Sequence, residues 1–211
     1  GRARSSERAG RRLAVGDAEA IRREVPGLKA ITVYSSTKAE VVTDFETANV
    51  DIVGADQDYA TVRGYTIESG RDLSAGEVLA KAKVCLLGQT AASKLFGTGD
   101  PVGHWLRIGR HRFEVIGLLS RKGQSPFGSD QDDRIVMPIG GWHARISPGK
   151  ERKVDIIIAS APDSGSVEGL REQMDRVLLE QHHIAPDGKR DYRLLTQDSF
   201  RKNEEEIFQV L

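Results

Sequence analysis

The side chain best suited to covalent chemistry is the single cysteine, Cys85. A catalytic thiol needs a partly exposed, electropositive setting that lowers its pKa and populates the thiolate. Cys85 instead lies between Val84 and Leu86 in an apolar run that predicts a strand buried on both faces. A cysteine in such a strand behaves as a small hydrophobic residue. The sequence therefore predicts a packing role for Cys85, and a hydrolase that uses it is a minor alternative.

Three neighbouring aspartates, Asp130, Asp132 and Asp133, are of the residue type that binds hard divalent cations. Their spacing, DQDD, has neither the ligand order nor the distal glutamate of an EF-hand loop. A solvated acidic loop accounts for the same residues without a ligand. We therefore predict no metal at these residues.

The histidines are also poor candidates for a metal site. His182 and His183 are adjacent in a predicted helix, so their side chains point about 100° apart and cannot easily chelate one ion. His104 and His111 flank a predicted hairpin, with no cysteine or carboxylate cluster beside them in the sequence. His104 and His111 could be cross-strand neighbours, and we expect both to be surface histidines.

The glycine-rich stretch FGTGDPVG, residues 96–103, is a candidate phosphate-binding loop. It matches neither the P-loop nor the dinucleotide fingerprint, and it follows a predicted helix where those motifs precede one. A helix cap at Gly97 and a turn at Asp100-Pro101 explain these residues better. The chain contains no Walker motif, so we predict that it does not hydrolyse ATP itself and that it binds no cofactor.

The best candidate for a contact surface is the segment KGQSPFGSDQDD, residues 122–133, which we call the contact loop. Its candidate contact residues are Gln124, Phe127, Asp130 and Asp132. Phe127 has no obvious partner within a polar loop, so it is either an exposed anchor for another molecule or folded back onto its own lobe. The sequence leaves both alternatives open.

Composition limits the function further. The 211 residues carry 31 basic and 31 acidic side chains, so no overall positive field supports a nucleic-acid role, and we predict no nucleic-acid partner. One cysteine cannot form an intrachain disulfide. No apolar run approaches the roughly 18–20 residues of a membrane span.

The residues above must be positioned by a mixture of helices and strands. Apolar spacing predicts helices at residues 17–25, 90–96 and 167–184. Residues 30–34 and 40–45 are predicted to form a hairpin with a polar turn at 35–38, and residues 135–139 an edge strand because of Pro138. Another hairpin is predicted from residues 105–108 to 112–119. The last third of the chain is predicted as a β-α-β unit.

This order of elements predicts an α+β fold with two lobes. An α+β lobe would be built from both chain ends, residues 16–50 and 141–200. Residues 51–140 would form an inserted β-rich lobe with one short helix. A helix is predicted from Asp198 or Ser199 towards Leu211, because Phe200, Ile207 and Phe208 can share a face with Leu211.

Four segments carry a resemblance to a known family: VDIVGADQDYATVRGYTIESGRDLS, KVCLLGQTAASKLFGTGDPVGHWLRIGRHRFEVIGLL, KGQSPFGSDQDD and RIVMPI. In this order they resemble the MacB-like periplasmic core domain of ABC-transporter permeases of the macrolide-exporter and lipoprotein-releasing type. The resemblance extends over about residues 13–199 and is strongest over residues 50–138.

The resemblance implies a non-catalytic domain on the periplasmic side of the inner membrane, which changes shape as ATP is turned over in the cytoplasm. The implied partners are its own transmembrane helices, a cytoplasmic ABC ATPase subunit or domain and a second permease subunit in a dimer, and the resemblance allows for a periplasmic adaptor. Residues 1–15 would be a flexible membrane-proximal segment, and residues 201–211 would begin a helix leading to a membrane span. A soluble periplasmic module that binds a small molecule or peptide between the lobes is the main alternative.

Overall fold

The computed structural model describes residues 13–125, 128–149, 153–197 and 206–211. The strands of this part of the chain are β1 Ala30–Val42, β2 Thr47–Ala55, β3 Ile67–Gly70, β4 Val84–Leu87, β5 Trp105–Ile108, β6 His111–Leu119, β7 Arg134–Pro138, β8 Ile156–Ala161, β9 Leu194–Gln197 and β10 Glu206–Val210. The helices are α1 Val15–Glu24, α2 Tyr59–Val62, α3 Ala75–Leu79, α4 Gln89–Phe96, α5 Ile139–Arg145 and α6 Val167–Gln181. The predicted α+β class is confirmed.

All these strands belong to one mixed sheet with the order β2-β7-β4-β6-β5-β1-β8-β10-β9, and β3 pairs with β6 outside this path. Consecutive strands β5 and β6 form the predicted antiparallel hairpin. Its turn places Gly109 at φ 56°, a left-handed conformation that glycine adopts without steric cost.

The long strand β1 connects two parts of the sheet, and it corrects one prediction. Residues 30–34 pair with β8, whereas residues 34–42 pair antiparallel with β2. The predicted turn at residues 35–38 is therefore wrong, because these polar residues are paired within the ladder. The true turn follows Thr43, whose amide donates to the carbonyl of Glu46 at 2.9 Å. A run of polar residues inside a strand, one of them the buried Ser35, gave a false turn signal.

Strand β7 corrects a second prediction, because it lies inside the sheet and not at its edge. It pairs parallel with β2 and antiparallel with β4. Pro138 is tolerated there because it is the last residue of the strand and the residue before α5, where a missing N–H costs little.

The first hydrophobic cluster joins both ends of the described chain. Ile21 of α1, Met174 of α6 and Ile157 of β8 are fully buried members of it. The apolar spacing in α6, with Leu170 and Leu178 beside Met174, produces the face that covers the sheet. Predicted helices and observed helices agree closely here.

Two further clusters fill the central part of the chain. Phe113 and Trp142 belong to the second cluster, and Tyr59 and Val136 belong to the third. The indole N–H of Trp142 donates to the carbonyl of Ile52 at 2.9 Å and ties α5 to β2. The second cluster includes residues on both sides of the predicted lobe boundaries, so the exact division into lobes stays a prediction.

The end of the chain corrects a third prediction. Residues 206–210 form β10, which pairs with β8 on one side and β9 on the other, so the predicted helix is wrong for these residues. The predicted start of that helix lies outside the described residues. A short apolar run does not distinguish helix from strand by periodicity alone, and pairing with two neighbouring strands decides the outcome.

Candidate functional site

The contact loop links β6 to β7 and folds back on itself. Gln124 and Asp130 form an antiparallel bridge across it. The amide of Ser125 donates to the carbonyl of Ser129 at 2.8 Å, and their hydroxyl groups lie 2.7 Å apart. Gln124 and Asp130 are exposed on this small hairpin-like structure. Phe127 lies outside the described residues, so its two alternatives stay open.

Asp132 fixes the base of the contact loop from inside. Its carboxylate accepts the amide N–H of Lys122 at 2.8 Å and that of Gly123 at 2.7 Å. Its own amide donates to the carboxylate of Asp130 at 2.8 Å. Asp132 is only 1% exposed. Charge-assisted bonds of this kind are stronger than neutral ones, so the two ends of the loop are held together firmly.

The backbone of Asp132 also attaches the loop to helix α4. Its carbonyl accepts from the amides of Thr90 and Ala91 at 3.1 and 3.2 Å, in the first turn of the helix. Gly88, the residue before α4, approaches so closely that a Cβ there would lie 2.3 Å from the same carbonyl oxygen. Glycine is therefore required at this contact.

These contacts correct the prediction for Asp132. It was expected on the contact surface, but its side chain is buried and both its hydrogen-bonded partners belong to the loop backbone. Its role in the structure is to shape the loop. Asp133 points elsewhere and pairs with Lys94 at 2.6 Å. Within the described residues, no group of three or more histidine, cysteine or acidic side chains is arranged to hold a metal ion.

Cys85 lies at the centre of the second cluster and is 0% exposed. Burial raises the pKa of its thiol strongly, and the nearby charge of Glu114 acts in the same direction. The thiolate is therefore disfavoured, and the predicted packing role is confirmed.

His182 makes contacts that the sequence did not predict. This residue is buried, and its ring nitrogens lie 2.6 Å from the carboxylate of Asp191 and 3.1 Å from that of Asp17. Asp191 is nine residues from His182 and Asp17 is 165 residues away, so no short-range motif contains all three side chains. Helix α6 ends at Gln181, before the two adjacent histidines. His104 is exposed as expected.

A surface cavity of about 240 Å³ lies where α1 ends and β1 begins, lined by residues that include Arg22, Pro26, Lys29 and Asp58. Ligand pockets of proteins usually measure about 300–1,000 Å³ and are mostly apolar. This cavity is smaller and partly charged, so it does not favour the binding-module alternative.

In the part of the chain that the structure describes, no helix combines the length and the apolar character needed to cross a bilayer.

The family model of the MacB-like periplasmic core domain matches residues 1–177. This match covers well over half of the 211 residues. The chain belongs to the MacB-like periplasmic core domain family. The resemblance inferred from the sequence, which is strongest over residues 50–138, is thereby confirmed.

Relatives and a solved structure agree with this family. The chain is 33% identical over 142 residues to the macrolide export ATP-binding/permease protein MacB of Rhodospirillum rubrum, covering 67% of this chain and 21% of that protein. It is 30% identical over 184 residues to the pyoverdine export ATP-binding/permease protein PvdT of Pseudomonas putida, covering 87% and 27%. The crystal structure of the periplasmic region of MacB from Actinobacillus actinomycetemcomitans superposes with a TM-score of 0.69 at 20% identity, covering 82% of this chain and 75% of that one.

The chain spans about a quarter of the length of these curated relatives. As a MacB-like periplasmic core domain it belongs with the extracytoplasmic domains of inner-membrane ABC permeases. The expected context, a transporter with membrane and ATPase parts, agrees with the names of the relatives. The likeness to the solved structure supports the fold alone.

Proposed function

We propose that this MacB-like domain is a non-catalytic module that couples ATP hydrolysis in the cytoplasm to motion and partner contact outside the membrane. Its family membership supports the transporter setting. The burial of Cys85 and the pairing of Asp132 with backbone amides support a role without covalent chemistry, because neither side chain is available to a substrate.

The motion would take place between a lobe built from the chain ends and an inserted lobe of about residues 51–140. Strand β1 supports this arrangement, since its first residues pair with β8 and its later residues pair with β2 and β5. One continuous strand of 13 residues can carry a displacement from one lobe to the other. A second permease subunit in a dimer and a periplasmic adaptor are the partners we propose.

The contact loop would be the surface that meets such a partner. The observation that carries this proposal is the pair of hydrogen bonds from the amides of Lys122 and Gly123 to the Asp132 carboxylate, which we call the Asp132 lock. These bonds hold the bridged residues Gln124 and Asp130 exposed at a defined position. A preorganised loop loses less conformational entropy when it binds. Phe127, between these two residues, would be the apolar anchor of the contact.

The test uses the full-length permease together with its ATPase in membrane vesicles. In the double variant Gln124→Ala/Asp130→Ala, we expect the ATPase rate to change about threefold or more. Mutations along a path that connects two sites change the coupling free energy between them by about 0.5–2 kcal/mol. The overall fold should be retained, since both side chains are exposed and the variant removes only one loop hydrogen bond that the Asp130 carboxylate accepts, from the amide of Asp132.

Glu40→Ala/Asn49→Ala is the matched control, because it also removes one exposed acid and one exposed amide, from paired positions of β1 and β2. We expect this control to keep the wild-type ATPase rate. An unchanged rate in the loop variant, or an equal change in both variants, would contradict the proposed contact role of the loop.

A further inference from the structure

Three cations, which we call the cation cluster, lie against three tyrosine rings that contact one another: Arg63, Lys122 and Arg134. The Nη1 of Arg134 donates to the Tyr59 hydroxyl at 2.8 Å. The guanidinium of Arg63 lies 5.8 Å from the ring centre of Tyr34, which in turn contacts Tyr59 edge to face at 5.6 Å. Residues distant in sequence thus bring their positive charges to one place.

Lys122 reaches the cluster from the start of the contact loop. Its ammonium lies 4.7 Å from the ring centre of Tyr65 and donates to the backbone carbonyl of Arg63. Burial first, and then the positive charges of Arg63 and Arg134, lower the pKa of Lys122 to about 8. This lysine therefore lies in a partly dehydrated position that already contains like charges.

The nearby carboxylates of the described residues offset the three positive charges only in part. Among the described residues, none of the three cations forms an ion pair with an acidic side chain. Asp132, the acid whose charge reaches Lys122, is already bonded to the amides of Lys122 and Gly123. Asp155, whose charge acts on Tyr34, accepts the amide of Ser36 at 3.1 Å. The cluster thus keeps an excess of positive charge that is partly shielded from water.

Several donors in the cluster also lack acceptors. The Nε atoms of Arg63 and Arg134 are buried and have no hydrogen-bond partner. The Tyr59 hydroxyl accepts from Arg134, so its own hydrogen can still be donated. A buried donor without an acceptor is unfavourable, and a bound anion would supply the missing acceptors.

We propose that the cation cluster is a binding site for a phosphate group. Two guanidinium groups offer planar, forked donors that match phosphate oxygens, and the lysine adds a point charge. The Tyr34 and Tyr65 rings hold Arg63 and Lys122 in place by cation–π contacts. The phosphate would belong either to a soluble phosphate compound or to a phospholipid headgroup, and the experiment below separates these sources. This proposal does not depend on the proposed role of the contact loop.

The first experiment titrates the 211-residue chain with inorganic phosphate and follows backbone amide shifts by NMR. We expect shifts centred on Arg63, Lys122 and Arg134, and affinity about tenfold weaker in Arg134→Gln, which loses charge-assisted bonds. Arg112→Gln is the matched control, because Arg112 lies over the exposed ring of Trp105 away from the cluster.

If Arg134→Gln does not fold, the proposal can still be tested with Arg63→Gln and Lys122→Gln, each of which should weaken phosphate binding by itself. Absence of shifts in the wild-type chain, together with absence of binding to the vesicles described below, would overturn the proposal. An equal loss of affinity in Arg112→Gln would overturn it as well, because binding would then follow net charge and not this site.

A second measurement uses inorganic sulfate, whose charge stays constant between pH 6 and pH 9. Lys122 faces Arg63, Arg134, Tyr65 and Asp132, and burial raises the pKa of Tyr65 to about 12. Lys122 is therefore the group expected to lose its charge as the pH rises through about 8. We expect sulfate affinity to fall over that range in the wild-type chain and to stay constant in Lys122→Gln. The same pH dependence in both would overturn the role of Lys122.

Vesicles of phosphatidylglycerol and of phosphatidylcholine separate the two phosphate sources. Binding to the first that is lost in Arg134→Gln identifies a phospholipid headgroup as the ligand. Binding of inorganic phosphate without vesicle binding identifies a soluble phosphate compound. If neither probe binds, the proposal is overturned.

Discussion

Removal of the Asp132 carboxylate should release the contact loop from its base. In Asp132→Ala the amides of Lys122 and Gly123 lose acceptors at 2.8 and 2.7 Å. A hydrogen bond to a charged group contributes about 1.5–3 kcal/mol to stability. Because both amides are only partly buried, water replaces some of this, and we expect the free energy of unfolding to fall by about 2–4 kcal/mol for the pair. For a chain of this size, that corresponds to a Tm lower by about 4–16 °C.

Two measurements separate the local effect from the global one. Urea unfolding followed by circular dichroism gives the free energy, and amide hydrogen exchange at Lys122 and Gly123 reports the loop itself. Asp132→Asn should lose about half as much stability, since its amide oxygen keeps one acceptor but no charge. The control Gln124→Ala, in the same loop but exposed, should change stability by less than about 0.5 kcal/mol.

The reasoning would be refuted by a specific result. If Asp132→Ala unfolds at the wild-type urea concentration and the two amides remain protected from exchange, Asp132 does not hold the loop. The contact loop would then keep its shape through its own bonds, those of Ser125 and Ser129.

Three further predictions follow from the described contacts. Gly54→Ala should lower the free energy of unfolding by more than about 2 kcal/mol, because its Cβ would lie 2.5 Å from the indole side chain of α5; Gly76→Ala, in open space within α3, should raise it by up to about 1 kcal/mol in the same denaturation assay. Cys85 should resist iodoacetamide in the native chain at pH 8.5 and react once urea unfolds it, so rapid native labelling would contradict its burial. The guanidinium of Arg71 lowers the pKa of Glu77 to about 2, so the ion pair of these two residues stabilises the fold above the ordinary pKa of 4.5 and loses that contribution as the pH falls from 4.5 towards 2. Glu77→Gln should reduce the acid dependence of the free energy of unfolding by less than about 1 kcal/mol. An unchanged pH profile in this variant would argue against a stabilising Arg71–Glu77 ion pair.

Local sequence patterns predicted a helix or strand correctly where the residues of that element decide its structure. Helix α6, helix α4 with its cap at Gly97, and the buried strand around Cys85 all lie where their apolar spacing predicts. The hairpin of β5 and β6 follows from the turn at Gly109. These elements need no distant partner to be recognised.

Predictions failed where a distant segment decides the outcome. The polar residues 35–38 became strand because β2 pairs with them, and residues 206–210 became strand because β8 and β9 lie on both sides. Pro138 indicated an edge strand, yet β7 is hydrogen-bonded to β2 on one side and to β4 on the other. In each case hydrogen bonding across the sheet, which short-range spacing does not encode, overrides the local preference.

The candidate sites show the same division. The contact loop was visible from its composition, but the inward direction of Asp132 depends on backbone amides that the side-chain pattern does not reveal. Arg63 and Arg134 are separated by 70 intervening positions and come together only because α2 and β7 pack around Tyr59. No motif with fixed spacing connects them, so the cation cluster could be found only from the structure.

Lys122 links the two sites that the structure brings forward. Its amide is fixed by Asp132 at the base of the contact loop, and its ammonium belongs to the cation cluster. A phosphate bound to the cluster would therefore restrain the same residue that positions Gln124 and Asp130. Linkage requires the effect to be reciprocal, so a partner that displaces the loop must change phosphate affinity by the same factor by which phosphate changes the affinity for the partner. Lys122→Gln should abolish this coupling while leaving the Asp132 lock intact, because the lock uses the backbone amide of residue 122 and the coupling uses its side chain.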